Sequence, residues 1–186
     1  MWGQSDFGNG TLSTTIKFWK LSTDGSGGGN WEAQDPVDPN QWSTLQPTSS
    51  SAYTSCSGGG FTFSGVYQNN IYVPGLLSYN FTTKVFSNIS AAPYTPRGTS
   101  EGGALICLPQ YGSNGLVMFL GGHTSYGANF WTPPDLTSGV IGLGNITFYD
   151  AIAQKWYWQA TTGSIPISRY GFCASGIQGP GNTYEM

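Results

Sequence analysis

His123 is the only imidazole in the chain, and that decides how much chemistry its residues can support. A catalytic base needs a positioned nucleophile and a carboxylate to orient it, and the sequence offers no such trio. His123 therefore reads as a polar loop residue, and as a metal ligand it has no partner at ligand spacing. Three cysteines, Cys56, Cys107 and Cys173, stand far apart with no C-x-x-C pair among them, so metal-ligand spacing is absent. Each reads as a small buried apolar residue on a strand, and an oxidising compartment leaves open one disulfide with a leftover thiol. Asp35 and Asp38 sit in a Pro-rich turn that they can cap, while Glu32 and Glu101 have no evident partner. Paired carboxylates of the glycosidase kind cannot be argued from these positions. The expectation is no catalytic residue, no metal and no cofactor.

Composition narrows the partners. Charged residues are only 8% of the chain, and polarity is carried by Ser, Thr, Asn, Gln and 28 glycines. Aromatics at 15% are enough to drive packing, so low charge does not mean disorder here. Six basic residues and a net charge of −3 leave no electrostatic footprint for nucleic acid. No apolar run is long enough to span a bilayer. The start, Met1-Trp2-Gly3-Gln4, lacks the basic and apolar regions of a signal peptide, so an export signal is expected outside this chain if the protein is secreted. Asn9, Asn80, Asn88 and Asn145 each head an N-x-S/T sequon, a mild pointer to the secretory route in so Ser/Thr-rich a chain.

The elements that would position any site are strands. Gly, Pro or Ser interrupts almost every ten residues and no helical periodicity is sustained, which predicts an all-β protein. Strands are expected near 14–21, 30–34, 52–57, 60–67, 75–81, 84–90, 102–108, 115–121, 145–150, 155–160 and 170–177. Two stretches about seventy residues apart repeat one pattern. Tyr79-Asn80 precedes Phe86 by seven positions, and Tyr149-Asp150 precedes Trp156 by the same seven. The run Leu116-Val117-Met118-Phe119-Leu120 ends in Gly121-Gly122 before the second copy. The strands thus group in fours: a complete set at 52–90, another at 102–160, a half set at 14–34 before them and a started set at 170–186 after them. Residues 1–13 form a lead. Each first strand carries one cysteine, so the three thiols are expected at equivalent positions of successive units.

An apolar run closed by Gly-Gly, then Tyr149, six residues and Trp156, resembles the kelch repeat of β-propellers of the galactose oxidase-like central-domain superfamily. The stretch from Asn145 to Arg169 and on through Gly171-Phe172-Cys173-Ala174 is similar to secreted or cell-surface kelch proteins of filamentous fungi. The likeness covers 60–186; it departs in the earlier unit, where Phe63-Ser64-Gly65-Val66 has a single Gly and Phe86 stands for the usual Trp. It implies four-stranded blades packed face to face, with the rings filling the wedge between blades and the glycines admitting a neighbour's backbone. By the same resemblance, Arg97 and Arg169 hydrogen-bond loop carbonyls on the approach to each first strand. Blades of about 50 residues in rings of roughly four to eight exceed this chain, which is expected to be a partial propeller.

In such a meander the second-to-third-strand loops and the inter-blade links share one end. The longest irregular segment, 123–144, lies there, and His123, Tyr126, Phe130 and Trp131 are the candidate contact surface for a protein or a glycan. The plainer alternative is that Phe130 and Trp131 tack the loop onto the scaffold. The resemblance implies a non-catalytic display scaffold of an extracellular or cell-surface protein. It also admits part of a copper radical oxidase, which needs two histidines, two tyrosines and a Tyr–Cys crosslink, or a glycan-binding propeller.

Overall fold

A computed structural model of the chain describes residues 18–34, 37–38, 40, 53–56, 58–63, 66–67, 71–72, 75–90, 100, 102–123 and 139–186. Among these the protein is all-β, with antiparallel sheets of two to four strands and no helix. The first hairpin pairs β1 (Phe18–Thr23) with β2 (Gly29–Gln34). Asp24 closes its loop: the carboxylate accepts from the Ser26 N–H at 2.9 Å, the Ser26 hydroxyl at 2.7 Å and the Gly28 N–H at 3.1 Å. Those donors hold its carboxyl below the ordinary value of 3.8.

Two four-stranded meanders follow. The first runs β3 (Tyr53–Cys56), β4 (Gly59–Phe63), β7 (Leu76–Asn80), β8 (Val85–Ile89), with the small hairpin of β5 (Val66–Tyr67) and β6 (Ile71–Tyr72) between its second and third strands. The second runs β9 (Ala104–Leu108), β10 (Leu116–Leu120), β11 (Asn145–Asp150), β12 (Lys155–Ala160). The single strand expected at 60–67 is thus two, β4 within the four-stranded sheet and β5 paired with β6. A last hairpin, β13 (Ile177–Gln178) with β14 (Tyr184–Glu185), replaces the long strand expected at 170–177. The sheets do not close on one another.

The repeated Tyr-Asn and Tyr-Asp have a local cause. Asn80 accepts from the N–H groups of Thr82 and Thr83 at 2.9 and 2.8 Å, and Asp150 accepts from those of Ile152 and Ala153, both at 2.9 Å. Each short side chain therefore folds the turn that follows it. Lys84 and Gln154, four residues on, both take the left-handed conformation (φ 58° and 53°) that lets these turns close. The rings then fall opposite one another, Tyr79 across from Phe86 and Tyr149 across from Trp156, with centroids 4.6 and 4.8 Å apart.

The meanders pack on each other through their first strands. Cys56, Leu76, Leu105, Val117, Phe119 and Tyr149 form one buried cluster, and a Cys56–Cys107 disulfide joins β3 to β9 within it. This corrects the expectation of three equivalent thiols. Tyr79 pairs through Gly60 to Ser55, whereas Tyr149 pairs through Val117 to Cys107. Cys107 thus matches Ser55, and Cys56 is one residue out of step. A shift of one residue turns a side chain to the opposite face of a strand, so the two sulfurs meet across the seam. Cys173 is free and exposed, off any strand.

The second sheet's other face carries Ala104, Ile106, Leu108, Met118 and Leu120, covered by Phe172, Ala174 and Tyr184 of the C-terminal segment. Tyr184 donates to the Cys107 carbonyl at 3.1 Å, and Tyr111 to that of Asn182. Gly121 and Gly122 lie where this segment begins, at φ 54° and 90°. A Cβ on Gly121 would stand 2.6 Å from the Arg169 carbonyl, and one on Gly122 would meet Gly103 backbone at 2.9 Å. Both positions therefore require glycine twice over, by conformation and by space.

Gly122→Val should lower stability by about 3 kcal/mol, read as a fall in the urea midpoint, since it combines left-handed strain with backbone overlap. Opening the Cys56–Cys107 bond, by reduction or by a Cys56→Ser/Cys107→Ser double variant, frees a loop spanning a sequence separation of 51. The chain-entropy relation places the cost near ~4 kcal/mol, and a melt unchanged by reductant would contradict it.

Candidate functional site

The residues proposed for a displayed contact surface separate on inspection. His123 is only 8% exposed; its backbone bridges to Val140 and its ring meets Tyr170 edge to face at 5.4 Å. The histidine is therefore a packing element at the root of the 121–144 connection, not a presented side chain. Tyr126, Phe130 and Trp131 lie outside the described residues, as do Arg97 and Asn9. Arg169 donates from Nε to the Ile167 carbonyl at 3.2 Å, a bond within its own link. Its carbonyl accepts from the Gly122 N–H at 2.9 Å, and the Gly122 carbonyl accepts from Ile141 at 2.8 Å. Gly171 N–H completes the set, donating to the Gly102 carbonyl at 2.7 Å. These bonds tie the start and end of the long connection to the segment that leads into residues 170–186.

The repeat rings have unequal environments. Tyr79 and Phe86 are fully buried, as is Tyr149, while Trp156 is half-buried and donates from Nε1 to the Ser90 carbonyl at 2.9 Å. Trp156 also contacts Phe119 at 5.1 Å. This ring therefore spans from the outer strand of the second sheet to the end of β8 in the first. Of the sequon residues in the described part, Asn80, Asn88 and Asn145 are all exposed.

A feature that sequence reasoning missed opens beside Trp156. Near β3 and β9 the two sheets are sealed by the disulfide and the apolar cluster, but toward the outer strands they diverge. The gap is a cavity of about 660 Å³. Its first wall comes from β7 and β8, where Ser78 pairs directly with Ser87 and Asn88 follows; its second wall is Tyr149, Gln154 and Trp156. None of the described lining residues is charged. Alternation of Ser, Asn and apolar residues on β7 and β8 signals which side chains share this face, but only the sheet-to-sheet packing sets them opposite Trp156. Trp158, 72% exposed on the outer strand β12, is a second surface aromatic that the sequence reading did not single out.

Among the described residues no group of three or more His, Cys, Asp or Glu could hold a metal. No helix there is long and apolar enough to cross a membrane. Burial pushes the Tyr149 hydroxyl above its ordinary 10.0, and the carboxylate of Asp150 adds to the effect.

No family model matches the chain, and no curated protein matches it. Solved structures do, among them the structure of YjhT, at a TM-score of 0.50 and 13% identity. That match covers 89% of this chain and 52% of the other, so the chain spans about half of its neighbour's length. At such identity the likeness is one of fold alone.

Because the folded state favours neutral Tyr149, its contribution is fully present below pH 10 and is lost as pH rises past that value. Tyr149→Phe, which cannot ionise, should flatten the loss of stability above pH 10, measured by denaturant midpoints at each pH. Identical profiles for the two proteins would contradict the burial argument.

Proposed function

We propose that this chain is part of a kelch-type β-propeller and serves as a non-catalytic scaffold of an extracellular or cell-surface protein. Its long connections, 121–144 foremost, bind a macromolecular partner. The observation that supports the reading best is the hydrogen-bonded root of that connection, where Gly122, Ile141, Arg169 and Gly171 are held by backbone bonds on glycine-tight packing. A long loop anchored to a rigid frame is the usual arrangement for recognition. Two four-stranded meanders stacked face to face, with the C-terminal segment lying on the next face, fit successive blades. The Cys56–Cys107 disulfide favours an oxidising compartment, hence secretion or surface display.

The test is crosslinking of the full chain on the surface of the cells that produce it, beside a variant carrying Tyr126→Ala, Phe130→Ala and Trp131→Ala. A protein crosslinked by the wild type and lost in the variant, at unchanged melting temperature, supports the reading. Copper-dependent release of peroxide from sugars or alcohols by the purified protein would overturn it in favour of an oxidase.

A further inference from the structure

The cleft between the two meanders is placed and lined in a way that packing alone does not require. Wedge-shaped gaps between sheets are ordinarily closed by larger apolar side chains, as the inner half of this one is by Leu76, Leu105, Val117 and Phe119. The outer half instead presents Ser78 and Ser87, a directly paired couple on one face, to Tyr149, Gln154 and Trp156. Among the described residues, no hydrogen bond engages the side chains of Ser78, Ser87 or Gln154, and none engages the Tyr149 hydroxyl. Tyr149 lines the cavity, and its hydroxyl is not among the fully buried side-chain atoms left without a partner. Trp156, by contrast, is fixed, since its indole N–H is spent on the Ser90 carbonyl.

We propose that this groove binds a short neutral oligosaccharide, whose hydroxyls meet Ser78, Ser87, Gln154 and Tyr149 and whose apolar ring face lies against Trp156. The lining selects the ligand class. With no charge among the described residues of either wall, neither wall rewards a phosphate, a carboxylate or an ammonium group. The first wall is the face of a sheet, which meets a ligand with side chains and not with its backbone groups. What remains is hydroxyl and amide groups beside an aromatic ring, the complement of a polyhydroxylated molecule with an apolar face. A volume of about 660 Å³ lies within the range of roughly 300–1,000 Å³ usual for small-ligand sites. The inference stands on the two sheets alone and does not depend on the loop-side reading above.

Calorimetric titration of the full chain, shown by mass spectrometry to carry no glycan at Asn88, tests it. The probes are neutral gluco-, manno- and chito-oligosaccharides, with oligogalacturonate as the charged comparator. At least one neutral oligosaccharide should bind and oligogalacturonate should not. Tyr149→Phe should weaken binding about ten-fold by removing one hydroxyl contact from the groove wall. Ser87→Trp, which fills the groove from an exposed strand position, should abolish binding at unchanged melting temperature. Absence of binding to every neutral probe would overturn the proposal, as would a Ser87→Trp protein that binds like the wild type. Sugar binding that survives Trp131→Ala supports the groove; binding lost there but kept in Ser87→Trp moves the site to the loop and refutes it.

Discussion

The seam between β3 and β9 is the constraint from which the rest of the molecule follows. A four-stranded meander has two faces, and a sheet this poor in charge cannot leave both of them to water. Here one face of each meander is turned to the other, the first strands are joined covalently by Cys56 and Cys107, and an apolar cluster seals the inner half. With that edge fixed, the outer strands must either close the remaining space with bulk or leave it open. Ser78 and Ser87 stand where bulk would be needed, and the space stays open.

The two meanders are copies in their turns and rings but not in their packing. Asn80 and Asp150 fold equivalent turns, and Tyr79–Phe86 and Tyr149–Trp156 are equivalent pairs. Val117 opposite Tyr149 nevertheless corresponds to Gly60 opposite Tyr79, where a Cβ would already touch the rings of Tyr53 and Phe81. Phe86 is buried while Trp156 reaches across to Ser90. Phe86 in the first copy is thus a ring that packs within its own sheet, and Trp156 in the second is one that bridges two.

On the far side of the second meander the C-terminal segment does what another sheet would do with few strand hydrogen bonds of its own. Phe172, Ala174 and Tyr184 cover the apolar face, and the glycines at 121, 122 and 103 let its backbone approach. His123 belongs to this packing and not to a recognition surface, since its ring meets Tyr170. A functional reading is therefore better sought in the connections this frame holds and in the cleft it leaves than in the histidine.

The sequence by itself determined the strands and their grouping. Short β-branched and aromatic runs between Gly, Asn and Asp turns are local signals, and the seven-residue interval from Tyr to ring is fixed by one turn and one register. The glycines at 121 and 122 were legible as the close of an apolar run, where positive φ or a neighbour's backbone leaves no room for a side chain. Tertiary structure alone decided which cysteines meet, because a one-residue offset in register is invisible until Tyr79 and Tyr149 are aligned through their partners. It also decided that the strand expected at 170–177 shortens to Ile177–Gln178, and that His123 is buried. The cleft beside Trp156 belongs to the same class: its walls come from residues some seventy positions apart, and only the angle between two sheets brings them face to face.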